Sequence, residues 1–420
     1  MFERCLWSDQ IELPRYLTAP LPSITDVAVI GGGYTGLSAA RELAHSGIDV
    51  TVLERYHVGW GASSRNGGFV LQGYKPEMGE LARMVGAERA RRMFQLTLDA
   101  MQLLESLISE ETIVCDFVHC GALTLAARPT HMKSLEQSGR FLRTEVGYHT
   151  ELLARGDLRQ EIGSGRYHGG LLDPGGCSLQ PAKYVAGLAR AAARAGAKLA
   201  ENTEVRKIRK VASGFELTTN QGVLRARQVL AATNGYTPRA LAALRRRVIP
   251  IGSYIIATEP LSDDLARTLI PRKRMLSDTK NLLYYFRLSP DNRIVFGGRA
   301  SFTPASPQRS ARILSAGMRE VFPELGGAKV EYAWSGKVAY PMDHLPHAGQ
   351  LGGVHYAMGY CGHGVALATY LGTRMAQVMA GTGELPELGG KRFKAIPLFN
   401  GFPWFLPLVG GYYRTLDWLS

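Results

Sequence analysis

Apolar positions along the chain follow three rhythms. Near the N-terminus the run Asp26-Val27-Ala28-Val29-Ile30 is unbroken and β-branched, which predicts a strand buried on both faces of a parallel sheet. It leads directly into Gly31-Gly32-Gly33-Tyr34-Thr35-Gly36. Leu37, Ala40, Leu43 and Ala44 then recur at helical spacing as far as Gly47, and a second strand from Asp49 to Leu53 finishes in Glu54. A helical period returns between Glu77 and Ser109 through Met93, Leu96, Leu104 and Leu107, with Arg83, Arg89, Arg91 and Arg92 on a solvated face. Pro181 opens a further helix whose Val185, Leu188, Ala189 and Ala192 form one stripe, ending at Gly196. Strand-like and hairpin-like runs follow at 198–200, 204–210, 214–219 and 224–230. The last breaks into Ala231-Ala232-Thr233-Asn234-Gly235-Tyr236, as expected where another backbone or a ligand edge lies close.

Beyond Val248 the rhythm becomes alternation. Ser253 to Glu259, Asn281 to Leu288, Arg293 to Gly298 and Val330 to Tyr340 read as strands, and turns such as Ser289-Pro290-Asp291-Asn292 make them antiparallel. Met358-Gly359-Tyr360-Cys361-Gly362-His363-Gly364 then opens a long apolar helix running through Val365, Leu367, Leu371 and Met375 to Gly381. The glycine turn before a helix at 31–47 is thus repeated near the other end of the chain.

Composition narrows the field. A chain of 420 residues with 45% hydrophobic and 20% charged residues is folded rather than disordered, and 48 glycines are an excess that needs explaining. Lys and Arg outnumber Asp and Glu by 49 to 36, leaving +13, yet only Arg245-Arg246-Arg247 and Arg272-Lys273-Arg274 are dense runs and no aromatics interleave them. An RNA-binding or tRNA-modifying role is therefore a minor alternative, and no nucleic-acid partner is expected. Five cysteines without a C-x-x-C and an opening without a signal pattern point to the cytoplasm. The most apolar window, Ile396 to Tyr413, is broken by Pro397, Pro403 and Pro407. A transmembrane segment is not expected there; peripheral membrane contact through Trp404-Phe405-Leu406 stays open.

The glycine clusters carry the chemistry. Strand, G-x-G-x-x-G, helix, strand and acid is a dinucleotide fingerprint: Gly31 permits the tight turn, Gly33 lets backbone amides approach a pyrophosphate, Gly36 lets helix and strand pack, and Glu54 suits a ribose diol. The fingerprint alone does not separate NAD from FAD. Gly59-Trp60-Gly61-Ala62-Ser63-Ser64-Arg65-Asn66-Gly67-Gly68 adds a stretch of small residues able to lie against a flat ligand, and no metal cluster is visible.

Taken together with Gly252-Ser253-Tyr254-Ile255-Ile256-Ala257-Thr258-Glu259-Pro260-Leu261, these motifs resemble the glycine/D-amino-acid oxidase (DAO) family of flavoproteins over almost the whole chain, from Asp26 to Gly381. In pattern the chain is closer to the gamma-glutamylputrescine oxidase branch than to the sarcosine oxidases. The resemblance implies an α/β (α+β) fold, a Rossmann-like FAD-binding domain interleaved with a mainly antiparallel β-sheet substrate domain with helices. The FAD-binding domain would comprise 1–115, 175–245 and 335–420, and the substrate domain 116–174 and 246–334. It implies that Gly31, Gly33, Tyr34, Thr35, Gly36, Glu54 and Arg55 hold the ADP half of FAD, and that Gly61, Ala62, Ser63, Ser64, Asn66, Gly67 and Gly68 line the flavin. Val205 would meet the adenine end through its backbone. Thr233, Asn234 and Gly235 would close on the cofactor, and Gly362, His363, Gly364 and Val365 would face the pyrimidine edge, where a positive helix end stabilises charge on reduction.

Departures from the family matter too. The strand position where some members attach flavin through Cys reads Lys337-Val338-Ala339, so the FAD is expected to be noncovalent. The Arg that anchors an α-carboxylate near Val338 in amino-acid-oxidising members is absent here, as is the Lys that sarcosine oxidases place near Ala366. The implied reaction is hydride transfer from the carbon beside a primary or secondary amine to flavin N5, giving an imine and then an aldehyde or keto product, with O2 reduced to H2O2. The alternative is a dehydrogenase passing electrons to a quinone or carrier. His363, Lys337, Tyr254 and Tyr285 are the candidate catalytic residues, with Tyr284, Trp334 and Tyr340 as further candidates for an aromatic pocket.

Overall fold

A computed structural model describes residues 4–16, 20–298, 306–390 and 392–419. The buried run at 26–30 forms the strand Ile24–Ile30 at the centre of an eight-stranded sheet, between the parallel strands Val50–Leu53 and Val223–Ala231. Lys198–Ala200 extends one edge, while the hairpin Val205–Val211 and Gly214–Thr219 extends the other. Val354–Met358 runs parallel to the end of Val223–Ala231, pairing Leu230 with His355, and brings the second glycine cluster beside the first. Helices Tyr34–His45, Pro181–Arg194 and Gly364–Ala380 pack together in one large core through Leu37, Leu43, Val185, Leu188, Leu367 and Leu371.

The second sheet also has eight strands, ordered Val330–Tyr340, Ile249–Thr258, Ile294–Gly298, Tyr284–Leu288, Met275–Asp278, Ala122–Leu125, Gly169–Asp173 and Glu151–Ala154. Its pairs are antiparallel except Met275–Asp278 with Ala122–Leu125. Val330–Tyr340 stays in this sheet along its whole length, as far as the pair Tyr340 and Ile249, so a boundary drawn between 334 and 335 runs through a strand. The three strands from 122 to 173 carry no signal long enough to stand out in the sequence. The outermost, Glu151–Ala154, is mostly exposed and so lacks the alternation that marks a half-buried strand.

The helical region 77–109 is two helices, Met78–Val85 and Ala87–Glu110, because Gly86 between them takes φ +87°. At the Pro181 helix, the Gln180 side chain accepts a hydrogen bond from the Lys183 amide, capping the first turn. All five cysteines are free thiols. Among the described residues no helix is long and apolar enough to cross a membrane.

Candidate functional site

The two glycine turns and the small-residue loop converge on one cleft of about 320 Å³ at the C-terminal end of the parallel strands. Of the residues expected at a cofactor, Gly31, Gly33, Tyr34, Thr35, Glu54, Arg55, Gly61, Ala62, Ser63, Asn66, Val205, Thr233, Asn234, Gly362, Gly364 and Val365 line it. The others expected there lie behind the wall. A Cβ on Gly36 would sit 1.9 Å from the Gly31 carbonyl oxygen, and one on Gly68, at φ +75°, 2.2 Å from that of Leu179. Gly67 faces the ring of Tyr285, Ser64 is buried, and Gly235 packs on the Lys337 backbone. That last contact is the close approach anticipated for the 231–236 break.

Several hydrogen bonds tie these loops together. Glu54 accepts from the Gly32 amide at 2.8 Å and from the Tyr56 amide at 3.1 Å, and burial pushes its carboxyl above the ordinary range despite both donors. Ser63 Oγ accepts from the Tyr34 amide at 3.0 Å, joining the small-residue loop to the fingerprint helix. Asn234 Oδ1 accepts from the Gly359 amide at 2.9 Å, and the Thr35 and Tyr360 hydroxyls are bonded at 2.7 Å. Gly372, in the middle of its helix, is a contributor the sequence did not mark: a Cβ there would lie 2.3 Å from the Thr35 carbonyl oxygen. The N-terminus of Gly364–Ala380 thereby reaches the same cleft as that of Tyr34–His45.

The cleft lining suits FAD. Both helix N-termini present glycines, so backbone amides can approach an anion, and Glu54 stands at the end of its strand for a diol. His363 Nδ1 is buried without a hydrogen-bond partner. His363 itself flanks the cleft rather than lining it. Crowding by protein, with the charge of Lys75 added, lowers its pKa from 6.5 to about 4, so the imidazole is neutral at physiological pH. A histidine depressed in this way keeps its full contribution to stability above 6.5 and loses it as pH falls toward 4. We therefore expect wild-type protein to lose about 2 °C more of its melting temperature than His363→Asn does between about pH 7 and about pH 5. Equal pH dependence in paired thermal melts would show that His363 is not held neutral.

The candidate catalytic residues separate. Lys337 lines the cleft, its Nζ 5.5 Å from the centre of the Tyr236 ring, and burial followed by the charges of Arg55 and Arg245 lowers its pKa. Tyr285 stands behind the loop, its hydroxyl 3.0 Å from Ser253 Oγ and its ring edge-on to Phe69. Tyr254 is buried in the core of the second sheet. Trp334 donates to the Arg65 carbonyl, Tyr284 packs on Phe296, and Tyr340 packs under the C-terminal tail. The rings that do line the cleft include Tyr56, Trp60 and Tyr236, with centroids 4.2 Å apart for the first pair and 5.8 Å for the second. Trp60 and Tyr236 lie inside motifs, but nothing in their spacing shows that they meet.

A second cleft of about 460 Å³ opens from the first, sharing Arg55, Glu204, Asn234, Tyr236 and Lys337 and adding Arg206, Arg239 and Arg245. Its one acid, Glu204, is paired with Arg55 at 3.1 Å and Arg206 at 3.8 Å.

Comparison with known proteins agrees with this geometry. Residues 26–378 match the family described as DAO, FAD dependent oxidoreductase. The gamma-glutamylputrescine oxidoreductase of Escherichia coli (strain K12) is 34% identical over 397 residues, covering 94% of this chain and 90% of that protein. The probable oxidoreductase OrdL of Haemophilus influenzae is 35% identical, covering 87% and 85% respectively. The crystal structure of glycine oxidase from Geobacillus kaustophilus superposes with a TM-score of 0.74 at 23% identity, covering 90% of this chain and all of that one. The chain belongs to the DAO family of FAD-dependent oxidoreductases.

Proposed function

We propose that the protein oxidises the C–N bond of an amine whose reacting carbon bears no carboxylate, with gamma-glutamylputrescine as the type of substrate, and that O2 is the electron acceptor. The observation that carries this reading is the state of the arginines at the small-residue loop. Arg65 is committed to the carbonyls of Trp60 and Ser335, and Arg287 to those of Gly67 and Leu179. Neither offers a free fork to an α-carboxylate. A carboxylate at the far end of a longer substrate would meet Lys337 and Arg55 instead.

FAD bound in the cleft, held without a covalent link, supplies a two-electron acceptor for the C–H bond beside the nitrogen. No cysteine lines the cleft among the described residues, which supports noncovalent binding. Hydride loss requires a neutral amine. The burial and, after it, the neighbouring charges that lower Lys337 act on a substrate ammonium in the same cleft and favour its free base. The apolar side chains of Val338 and Ala368 in the cleft wall limit water until the imine leaves for hydrolysis. The identity with the Escherichia coli enzyme supports this substrate class.

The test is a comparison of kcat/KM under air. Gamma-glutamylputrescine is expected to exceed glycine, sarcosine and D-alanine by at least about a hundredfold, or about 2.7 kcal/mol in transition-state binding, with H2O2 formed per turnover. An amino acid matching it would overturn the substrate class. Turnover only with an artificial acceptor would overturn the oxidase assignment.

A further inference from the structure

The C-terminal segment leaves the FAD side of the molecule with an apolar face that none of the described residues covers. Leu398, Phe402, Trp404, Leu408 and Tyr412 are between 56% and 89% exposed, the densest group of large exposed hydrophobics among the described residues. The segment is nonetheless anchored. The Ile396 amide donates to the Arg246 carbonyl, Arg245 and Arg247 donate to the carbonyls of Gly401 and Phe393, and Leu406 is buried against Ile251, Tyr340 and Cys361. In the helix Leu406–Leu419, Leu406, Val409 and Gly410 turn inward, whereas Leu408 and Tyr412, one turn apart, face out. An anchored inner face beside an outward apolar one is the pattern of a helix that lies in an interface.

Charge identifies what covers that face. A cleft of about 670 Å³ beside it is lined by Arg239, Arg245 and Arg246 together with Leu398 and Phe402. Among the described residues none of the three arginines forms an ion pair; Arg245 reaches only the Gly401 carbonyl. Exposed Arg392 and Lys394 lie on the same stretch of chain. Unpaired cations rimming exposed leucine and aromatic side chains complement a surface that offers acyl chains and phosphates together. A second copy of this chain fits less well, since a two-fold interface would set the same arginines against one another.

We propose that residues 398–412, with Arg239, Arg245 and Arg246, dock the protein peripherally on an anionic lipid bilayer. The headgroup phosphates occupy the arginine-lined cleft, and Leu398, Phe402, Trp404 and Leu408 enter the acyl boundary. The docking does not depend on which amine is oxidised.

The experiment sediments the holoenzyme with phosphatidylcholine vesicles, with and without about 30% phosphatidylglycerol, and follows tryptophan emission. Anionic vesicles are expected to bind at least about tenfold more tightly than neutral ones, with a blue shift that Trp404→Phe diminishes and about 0.5 M salt reverses. Arg246→Glu with Lys394→Glu should weaken binding about tenfold or more, and Phe402→Ser with Leu408→Ser should abolish it. Each variant is accepted only if it keeps the flavin spectrum and the solution turnover of the parent, so misfolding cannot imitate the result. Equal distribution of the parent protein between vesicle types, or failure to sediment with either, overturns the proposal. So does a concentration-dependent dimer in solution that Phe402→Ser with Leu408→Ser disperses, because the face would then belong to a second copy.

Discussion

A Gly36→Ala protein is expected to purify colourless. The added methyl group would sit 1.9 Å from the Gly31 carbonyl oxygen, a separation no rotamer can relieve because a Cβ is fixed by its own backbone and the oxygen is backbone. Gly36 lies in the first turn of Tyr34–His45, so the helix must move away from the strand that ends at Ile30, carrying the amides of Gly33 and Tyr34 with it. Those amides border the cleft, and the Tyr34 amide also donates to Ser63 Oγ, so the small-residue loop loses its tether at the same time. FAD affinity is expected to fall at least about a hundredfold, or about 2.7 kcal/mol, by fluorescence titration of the cofactor-free protein. Gly79→Ala is the control: its Cβ meets nothing within 4 Å, and the helix Met78–Val85 gains from alanine. A yellow Gly36→Ala protein with parental affinity would mean that the fingerprint is not where FAD binds.

Arg287→Met is expected to destabilise the protein by about 3 kcal/mol and to release FAD on gel filtration. Arg287 is only 4% exposed. Its Nε donates to the Gly67 carbonyl at 2.9 Å, its Nη2 to the Leu179 carbonyl at 2.7 Å, and its guanidinium lies 5.1 Å from the centre of the Trp7 ring. One side chain from the second sheet thus holds the small-residue loop and the approach to the Pro181 helix. Burial lowers its pKa to about 10, which still leaves it charged at neutral pH. Methionine fills a similar volume but leaves two buried carbonyls without donors. Lysine retains the charge without the two-pronged geometry and should fall between the two. Denaturant titrations of the three proteins should rank them in that order; parental stability for Arg287→Met would show that the carbonyls find other donors.

Arg287 also shows where the sequence stops being informative. The fingerprint was legible because strand, glycine turn, helix and acid are contiguous, so 26–54 declares its fold and a dinucleotide as its class of ligand. Gly235 was legible as a site of close approach, though not its partner, which turns out to be the Lys337 backbone. Arg287 sits in an ordinary alternating strand, and its partners lie 220 and 108 residues away. No local pattern encodes such a bond. The aromatic residues failed for the complementary reason. Tyr254 and Trp334 occupy strand positions that fit either core or pocket, and their burial depends on which sheet face meets Phe286 or Trp7. Trp60 and Tyr236 reach the cleft because two loops far apart in the chain close on one another. The excess positive charge gained meaning only when Arg239, Arg245 and Arg246 were seen beside the exposed tail.

The visible spectrum of the purified protein, recorded without oxygen before and after an amine is added, tests the central claim most directly. The account predicts a yellow protein whose FAD is released by denaturation, and whose absorbance near 450 nm bleaches with gamma-glutamylputrescine but not with glycine or sarcosine. A protein that stays colourless when FAD is supplied, or a yellow one that no amine bleaches, contradicts it.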